Sequence, residues 1–374
     1  MTDSSAIVDH FSVMTDPRVE RTRLHKLIDI IVIAICAAVC GADSFVEIEE
    51  FGKARRPWLA QRLELPNGIP SHDTFARVFA RLDPREFGEC FLSWTRSIKE
   101  RANAGLVAVD GKTNRGSFDA AAGQSAIHMV SAWAAENRLV LGQVKVQDKS
   151  NEITAIPKLL RLLDISGCIV TIDAMGCQRE IASQIVAQGG DYVFSLKGNQ
   201  GTLHEDVKVF FEESRSVDFR DIEHSFHESV DKGHGRIEIR RCWLSSDTSW
   251  LQERHQWPHL ASMAAVECEQ HVRQKVTTET RYFISSLNKD AEKMAEAIRG
   301  HWGIENQLHW VLDVVFKEDN CRTRKDHAPQ NLATLRHIAL NLLRQDKSAK
   351  VGLKARRLKA ALDIRYMESV LANN

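Results

Sequence analysis

Apolar positions recur at helical spacing in the first hundred residues and at strand spacing beyond them. Leu24, Leu27, Ile28, Ile31, Val32 and Ile35 mark one helical stripe, and Gly41 is its natural stop. A second helix is predicted through Phe45 to Phe51. Residues 66–84 give a Pro/Gly turn, then Ser71 as a candidate N-cap, then a helix closed by Pro84. From about residue 105 the pattern changes. The short run Leu106, Val107, Ala108, Val109 ends in Asp110 and Gly111, and reads as a buried strand leaving through a turn. Segments 127–136 and 138–148 alternate apolar and polar residues about Asn137, as a hairpin paired to that strand would. A helix follows over 150–164 with Ser150 as its cap and Pro157 inside it, then an apolar strand ending at Asp173, a helix of about 178–188, and a strand over 191–197.

Three antiparallel strands followed by helix, strand, helix and strand is the element order of a ribonuclease H-like sheet. Residues 198–286 interrupt the alternation with a helix near 203–213 and strands near 222–230, 234–243, 258–267 and 279–286, read as an inserted, mainly-β subdomain. Helical spacing returns over 291–316 and 328–344. The expected fold class is therefore α/β: a ribonuclease H-like mixed sheet with a β insertion, preceded by an all-α domain. Its expected boundaries are a helical N-terminal domain over 1–100, a ribonuclease H-like domain over 101–345 and a basic helical tail over 346–374.

Composition narrows the class without naming a partner. The charged fraction of 27% and hydrophobic fraction of 43% are those of a folded globular chain. Net charge is zero, so any surface for nucleic acid must be local. Eight cysteines without a CxxC pair give no zinc ribbon and no disulfide framework, and point to reduced thiols in a cytoplasm. The polar start of the chain lacks the order of a signal peptide, and the apolar stretch from Leu27 to Cys40 is too short to span a bilayer. Two local basic features stand out. The helix after Ser71 carries His72, Thr74, Arg77 and Arg81, as a helix-turn-helix reader of DNA would. Between 344 and 365, eight basic residues, Arg356 and Arg357 among them, face two acidic ones; phosphate contact and a merely solvated helix face are both open there.

Candidate chemistry sits where strands end. Asp110 and Asp173 each leave a buried strand in the same grammar, at the sheet rim where ligands bind. Glu305 lies on the returning helix, where His301, Glu305, His309 and Leu312 would share a face. Three converging carboxylates call for a cation, and oxygen ligands select Mg²⁺ or Mn²⁺. A competing reading holds zinc through His301, Glu305 and His309. A third packs Trp302 and Trp310 inside and leaves the polar side wet.

Six segments in order make a resemblance specific: VDGKT (109–113), TIDAMGCQ (171–178), VFSLKGNQG (193–201), HGRIEIR (234–240), RYFISS (281–286) and HWGIENQLHWVLDV (301–314). The set resembles bacterial insertion-sequence transposases with an Asp-Asp-Glu triad, in particular the H-repeat-associated group found beside Rhs elements. The likeness runs from residues 33–52 to 356–372. It implies that Asp110, Asp173 and Glu305 are catalytic ligands of a two-metal Mg²⁺ or Mn²⁺ site. It also implies that Lys112 and Lys197 contact DNA phosphates, and that His234, Gly235 and Arg236 meet a DNA end. The wider superfamily carries a Tyr, Arg, Glu, Lys signature on the glutamate helix. Here those positions are Ile298, His301, Glu305 and Leu312, so only the glutamate is kept; His301, Asn306, His309 and Arg299 are the candidates to replace the missing groups. The implied function is cutting of mobile-element ends in double-stranded DNA and their transfer into a target, by a nucleoid-associated, membrane-free homodimer. A DNA-binding remnant that no longer cuts, and a ribonuclease H-like nuclease without strand transfer, are the alternatives.

Overall fold

The computed structural model describes residues 5–99, 105–120, 123, 125–147, 150–233, 235–273, 275–288 and 290–372. Five helices precede the sheet: α1 (Ser5–Ser12), α2 (Leu27–Val39), α3 (Phe45–Leu59), α4 (His72–Arg81) and α5 (Pro84–Lys99). The predicted caps hold at two of them. Gly41 turns the chain after α2 with φ +105, and the Ser71 side chain accepts from the Thr74 amide at the start of α4. α3 opens on a capping box between Ser44 and Glu47. α2 is apolar nearly all round because it is covered nearly all round: Ile30, Ile31, Ile33 and Ala34 are fully buried.

The sheet begins with β1 (Leu106–Thr113), β2 (His128–Ala134) and β3 (Leu139–Lys145), an antiparallel meander, then α6 (Glu152–Leu162), β4 (Ile169–Ile172), α7 (Arg179–Ala187) and β5 (Asp191–Leu196). β4 lies parallel to both β1 and β5, giving the ribonuclease H-like order. Ser150 is not the cap of α6. Asn151 holds that position without a side-chain bond to the helix, and the Ser150 hydroxyl meets Thr154 Oγ1 at 2.5 Å.

The β insertion does not fold apart from this sheet. After α8 (Thr202–Ser216) come β6 (His224–Gly233), β7 (Arg236–Ser245), α9 (Ser249–His255), β8 (Ser262–Val272) and β9 (Lys275–Ser285). β9 returns antiparallel to β5, pairing Val193 with Ser285, so nine strands run in one sheet ordered β3-β2-β1-β4-β5-β9-β8-β7-β6. The physical reason is the edge of β5, whose unpaired backbone groups are covered by the returning strand. The β8–β9 hairpin is also longer than the sequence pattern suggested. On the β9 side its outer half, Lys275–Glu279, is exposed and lacks the apolar alternation by which strands are read.

α10 (Ala291–Gly303) packs Met294, Ala297 and Ile298 across this sheet against Cys242, Leu244 and Phe283. Gly300 allows the close approach, since a Cβ there would run into Leu106 of β1. The helix then widens into a π segment over Ile304–His309 and resumes as α11 (Trp310–Val314). Trp302 and Trp310 are 41% and 57% exposed, so the third reading, which packs both inside, does not hold. Ile304 and Leu308 fill that side instead.

α12 (Ala328–Gln345) joins the two halves of the molecule. Asn331 donates to the Phe79 and Leu82 carbonyls at 2.8 and 3.1 Å, closing the C-terminal end of α4. Asn341 exchanges two bonds of 2.9 Å with the backbone of Val140 and so covers the free edge of β3. One apolar core runs continuously from α2 through α12 to the sheet.

The basic C-terminal stretch is part of this framework. α13 (Leu353–Leu362) and α14 (Ile364–Ala372) pack on α2 and α12, and Trp58 Nε1 donates to Glu368 at 2.7 Å. Arg356 and Arg357, predicted to contact DNA, are engaged internally. Arg356 donates to the carbonyls of Leu343, Asp346, Ala349 and Val351. The buried Arg357 donates to Ala38, Ala42 and Val315 carbonyls and to Asp43, closing the C-terminal ends of α2 and α11. Helix ends buried without water require such donors, and these two guanidiniums supply them.

Replacing Arg357 by Ala should therefore lower stability by about 3–5 kcal/mol, because Asp43 and several carbonyls lose their buried partner. Lys354→Ala on the exposed side of α13 should change it by no more than about 0.5 kcal/mol. Urea unfolding of the two variants checks the contrast.

Candidate active site

The two strand-end aspartates are neighbours by register. Val109 of β1 pairs with Ile172 of β4 in the parallel ladder, so Asp110 and Asp173 follow at the same level on adjacent strands. Adjacent strands stand about 5 Å apart, which fixes the backbone spacing of the two carboxylates. Asp173 is held further by its own turn, Oδ1 accepting from the Met175 and Gly176 amides at 3.0 and 3.2 Å. Asp110 Oδ1 accepts from the Gly111 amide at 2.8 Å.

Glu305 enters from the helix that crosses these strand ends. It stands exposed in the π segment between the buried Ile304 and Leu308. π segments occur disproportionately at functional sites. This one is braced by α12, whose Arg344 donates to the Gln307 carbonyl while its guanidinium lies 4.4 Å from the Trp133 ring. Asp110, Asp173 and Glu305 line one cleft of about 370 Å³, with Lys197, Arg281 and His301 also on its walls.

The electrostatics of the cleft are those of crowded acids. Burial pushes Asp110 up to about 7; the Gly111 amide opposes this, and the charges of Asp173, Glu152 and Glu305 add to it. Both helix histidines are pressed toward the neutral form by burial, His301 to about 4 and His309 to about 3. They also look different ways. His301 Nδ1 meets Thr171 Oγ1 at 3.0 Å, whereas His309 Nδ1 stands 3.6 Å from Asp110 Oδ2. The zinc arrangement of His301, Glu305 and His309 is thus not assembled, because the helix is not α-helical over this stretch. Among the described residues, no three His, Cys, Asp or Glu side chains close tightly around a single point. The three carboxylates instead border an open cleft, and their oxygens are a donor set suited to a hard divalent cation.

Other candidates fall in varied places. Lys112, read as a phosphate contact, is largely buried and pairs with Asp313, Glu318 and Asp319 at 2.7, 3.1 and 3.4 Å. Lys197 is exposed on the cleft wall. Arg236 is exposed at the tip of the β6–β7 hairpin, 3.9 Å from Glu238; His234 lies outside the described residues. Arg77 is exposed on α4 and lines a second groove with Arg324 and Lys325. His72 of that helix bonds Glu49 of α3 at 2.6 Å.

Sequence reading missed a polar chain beside Asp110. Thr113 Oγ1 meets His128 Nδ1 at 2.7 Å, and His128 Nε2 meets Glu152 Oε1 at 2.6 Å. Gly111 makes room for it, since a Cβ there would run into Glu152 and reach within 2.5 Å of His128 Nε2. Its members come from β1, β2 and α6, and no spacing joins them. Arg281, stacked 4.8 Å over the Trp302 ring, has no signal in the sequence beyond the RYFISS segment.

Comparison with known proteins gives consistent matches. The family model described as "Transposase DDE domain" matches residues 102–342, and one described as "DDE_Tnp_1-associated" matches residues 8–95. The chain is 42% identical over 375 residues to "H repeat-associated putative transposase YhhI" of Escherichia coli (strain K12), covering 98% of each. It is 42% identical over 373 residues to "Putative transposase YncI" of Escherichia coli O157:H7, covering 98% of this chain and 95% of that one. A solved structure of the piggyBac transposase synaptic complex with hairpin DNA aligns at a TM-score of 0.44 and 11% identity over 99% of this chain and 76% of that chain, too distant to bear on the fold by itself.

The raised Asp110 carboxyl has a consequence for stability. Between its unfolded value of 3.8 and its folded value of about 7, the native state binds more proton than the unfolded state, so this group costs stability as pH rises through that window. Asp110→Asn, which cannot ionise, should stabilise the metal-free protein at pH 8 by about 1–4 kcal/mol, and the gain should vanish near pH 4. Thermal unfolding in EDTA at the two pH values measures it.

Proposed function

We propose that this chain, which belongs to the DDE-domain transposases, cuts DNA at the ends of a mobile element and joins the freed ends to a target, using Asp110, Asp173 and Glu305 as its metal-holding carboxylates. The observation that carries this reading is the register of β1 and β4, which sets Asp110 beside Asp173 at one rim of the sheet, with Glu305 on the same cleft.

The acidic donor set fits Mg²⁺ or Mn²⁺. Asp110, Asp173 and Glu305 would hold such ions, whose chemistry would be to activate water or a 3′-hydroxyl and to stabilise the leaving oxygen of an in-line displacement. The protein's own residues bind and orient. The main-chain amides of Met175 and Gly176 hold Asp173, and the Thr171 hydroxyl keeps the neutral His301 ring against β4. Lys197 stands exposed on the cleft wall, where a phosphate backbone would lie, beside Arg281, whose guanidinium is paired with Glu279 at 2.8 Å. With zero net charge on the whole chain, that local placement matters more than long-range steering. Arg77 and Arg236 remain exposed for further contacts along a duplex, and two copies of the chain would hold two ends together. Among the described residues no helix is long and apolar enough to cross a membrane.

Asp110→Ala, Asp173→Ala and Glu305→Ala should each reduce cutting of labelled element-end DNA in Mg²⁺ by at least about a thousandfold, while end binding in gel shift stays within about threefold. Undiminished cutting by any one of them removes that residue from the site. Cleavage of RNA–DNA hybrids with no joining of DNA ends would replace the transposase reading with the nuclease one.

A further inference from the structure

Lys112 sits where its charge can do more for the acidic cleft than for DNA. It lies two residues beyond Asp110 on β1, so the two side chains leave the same face of the strand. Asp110 looks across to the helix carrying Glu305, and Lys112 reaches the far end of that same helix and the turn after it. Its ammonium meets Asp313 of α11 at 2.7 Å, Glu318 at 3.1 Å and Asp319 at 3.4 Å. The lysine side chain is only 10% exposed and that of Glu318 only 2%. Glu318 is in turn 3.4 Å from the buried Arg336 of α12, and the Asp319 carboxylate accepts from the Arg115 amide at 3.1 Å. The turn bearing Glu318 and Asp319 fits closely over residues 115–117, where a Cβ on Gly116 would meet the Asp319 carbonyl at 2.7 Å.

Strand β1 and the glutamate helix are therefore joined by two rungs. One rung brings the carboxylates of Asp110 and Glu305 to the same cleft, and the other is the ion pair of Lys112 with Asp313. We infer that Lys112 is a positioning residue: by clamping Asp313, Glu318 and Asp319 to β1 it holds the helix that carries Glu305 against the strand that carries Asp110. The inference rests on the proposed role of these carboxylates and gives Lys112 no contact with DNA. A rigid cross-strut beneath a ligand set is the physical basis for metal affinity lost on mutating groups that never touch the metal.

The test uses the full-length protein and Mn²⁺ alone as probe, followed by the electron paramagnetic resonance of the free ion. Lys112→Gln should weaken Mn²⁺ binding tenfold or more, and Lys112→Arg, which keeps the charge, should recover most of it. Affinity for element-end DNA without metal, and its salt dependence, should stay within twofold of the unaltered protein. Equal Mn²⁺ affinity in Lys112→Gln overturns the clamp. So does a uniform loss of DNA affinity with a salt slope smaller by about 1, which is the signature of a phosphate contact. Should Lys112→Gln fail to fold, Asp313→Asn removes one strut and leaves the lysine two partners. A weakening of Mn²⁺ binding by about threefold or more then supports the clamp, and no change overturns it. If the unaltered protein binds no Mn²⁺, the carboxylate site itself fails and the clamp falls with it. Tight binding by the unaltered protein beside an unaffected Lys112→Gln isolates the failure to the clamp.

Discussion

Carboxylates repel one another, and a fold that gathers them must hold them by something stiffer than their own side chains. Two unit charges about 5 Å apart repel by about 3 kcal/mol at an effective dielectric near 20, a large share of the net stability of a domain. The parallel pairing of β1 and β4 accepts that cost because the ladder cannot slip. A shift of one residue would turn Asp110 or Asp173 to the other face together with every apolar neighbour on its strand. Val107, Val109, Val170 and Ile172 are buried on those strands, so the core itself enforces the approach of the acids.

The rest of the molecule stiffens that arrangement from outside. α12 pins the edge of β3 through Asn341, closes α4 through Asn331 and braces the π segment through Arg344. Arg357 ties the end of α2 to the end of α11, just past the glutamate. These contacts explain why the helical N-terminal region and the C-terminal helices are not loose appendages: both take part in fixing the helix that carries Glu305. The strands after α8 do the same from the other edge, giving α10 a wider floor on which Met294, Ala297 and Ile298 rest. Rigid elements supply the precision that an active constellation needs, and exposed loops supply little of it here.

The chain's order of elements was legible because each signal is local. Apolar runs ending in Asp-Gly or Asp-Ala-Met-Gly, Ser71 ahead of an amphipathic stretch, and Gly41 at the end of an apolar one are all decided within a few residues. Asp110, Asp173 and Glu305 stood out as candidates for a related reason, since strand-end carboxylates and a glutamate within a recognisable motif need no knowledge of distance, and the fold brings the three to one cleft. The chain Thr113–His128–Glu152 was not legible, because its members are joined only by the pairing of β1 with β2 and the seating of α6.

The surroundings of the basic residues were hidden for the same reason. Arg356, Arg357 and Lys112 carry the same charge whether they face solvent, a phosphate or a helix end, and the sequence holds no record of which carbonyl or carboxylate stands opposite. Only the packing of α13 on α2, and of the turn at Glu318 on β1, decided that these cations serve the interior. The inserted strands were visible as strands, yet their partner was set by the open edge of β5. By itself the sequence determined the elements and the acidic residues at their ends, through propensity and period. The tertiary structure decided which edges pair, which charges are buried and what holds Glu305 over the strand ends, because those depend on desolvation and contact between residues far apart along the chain.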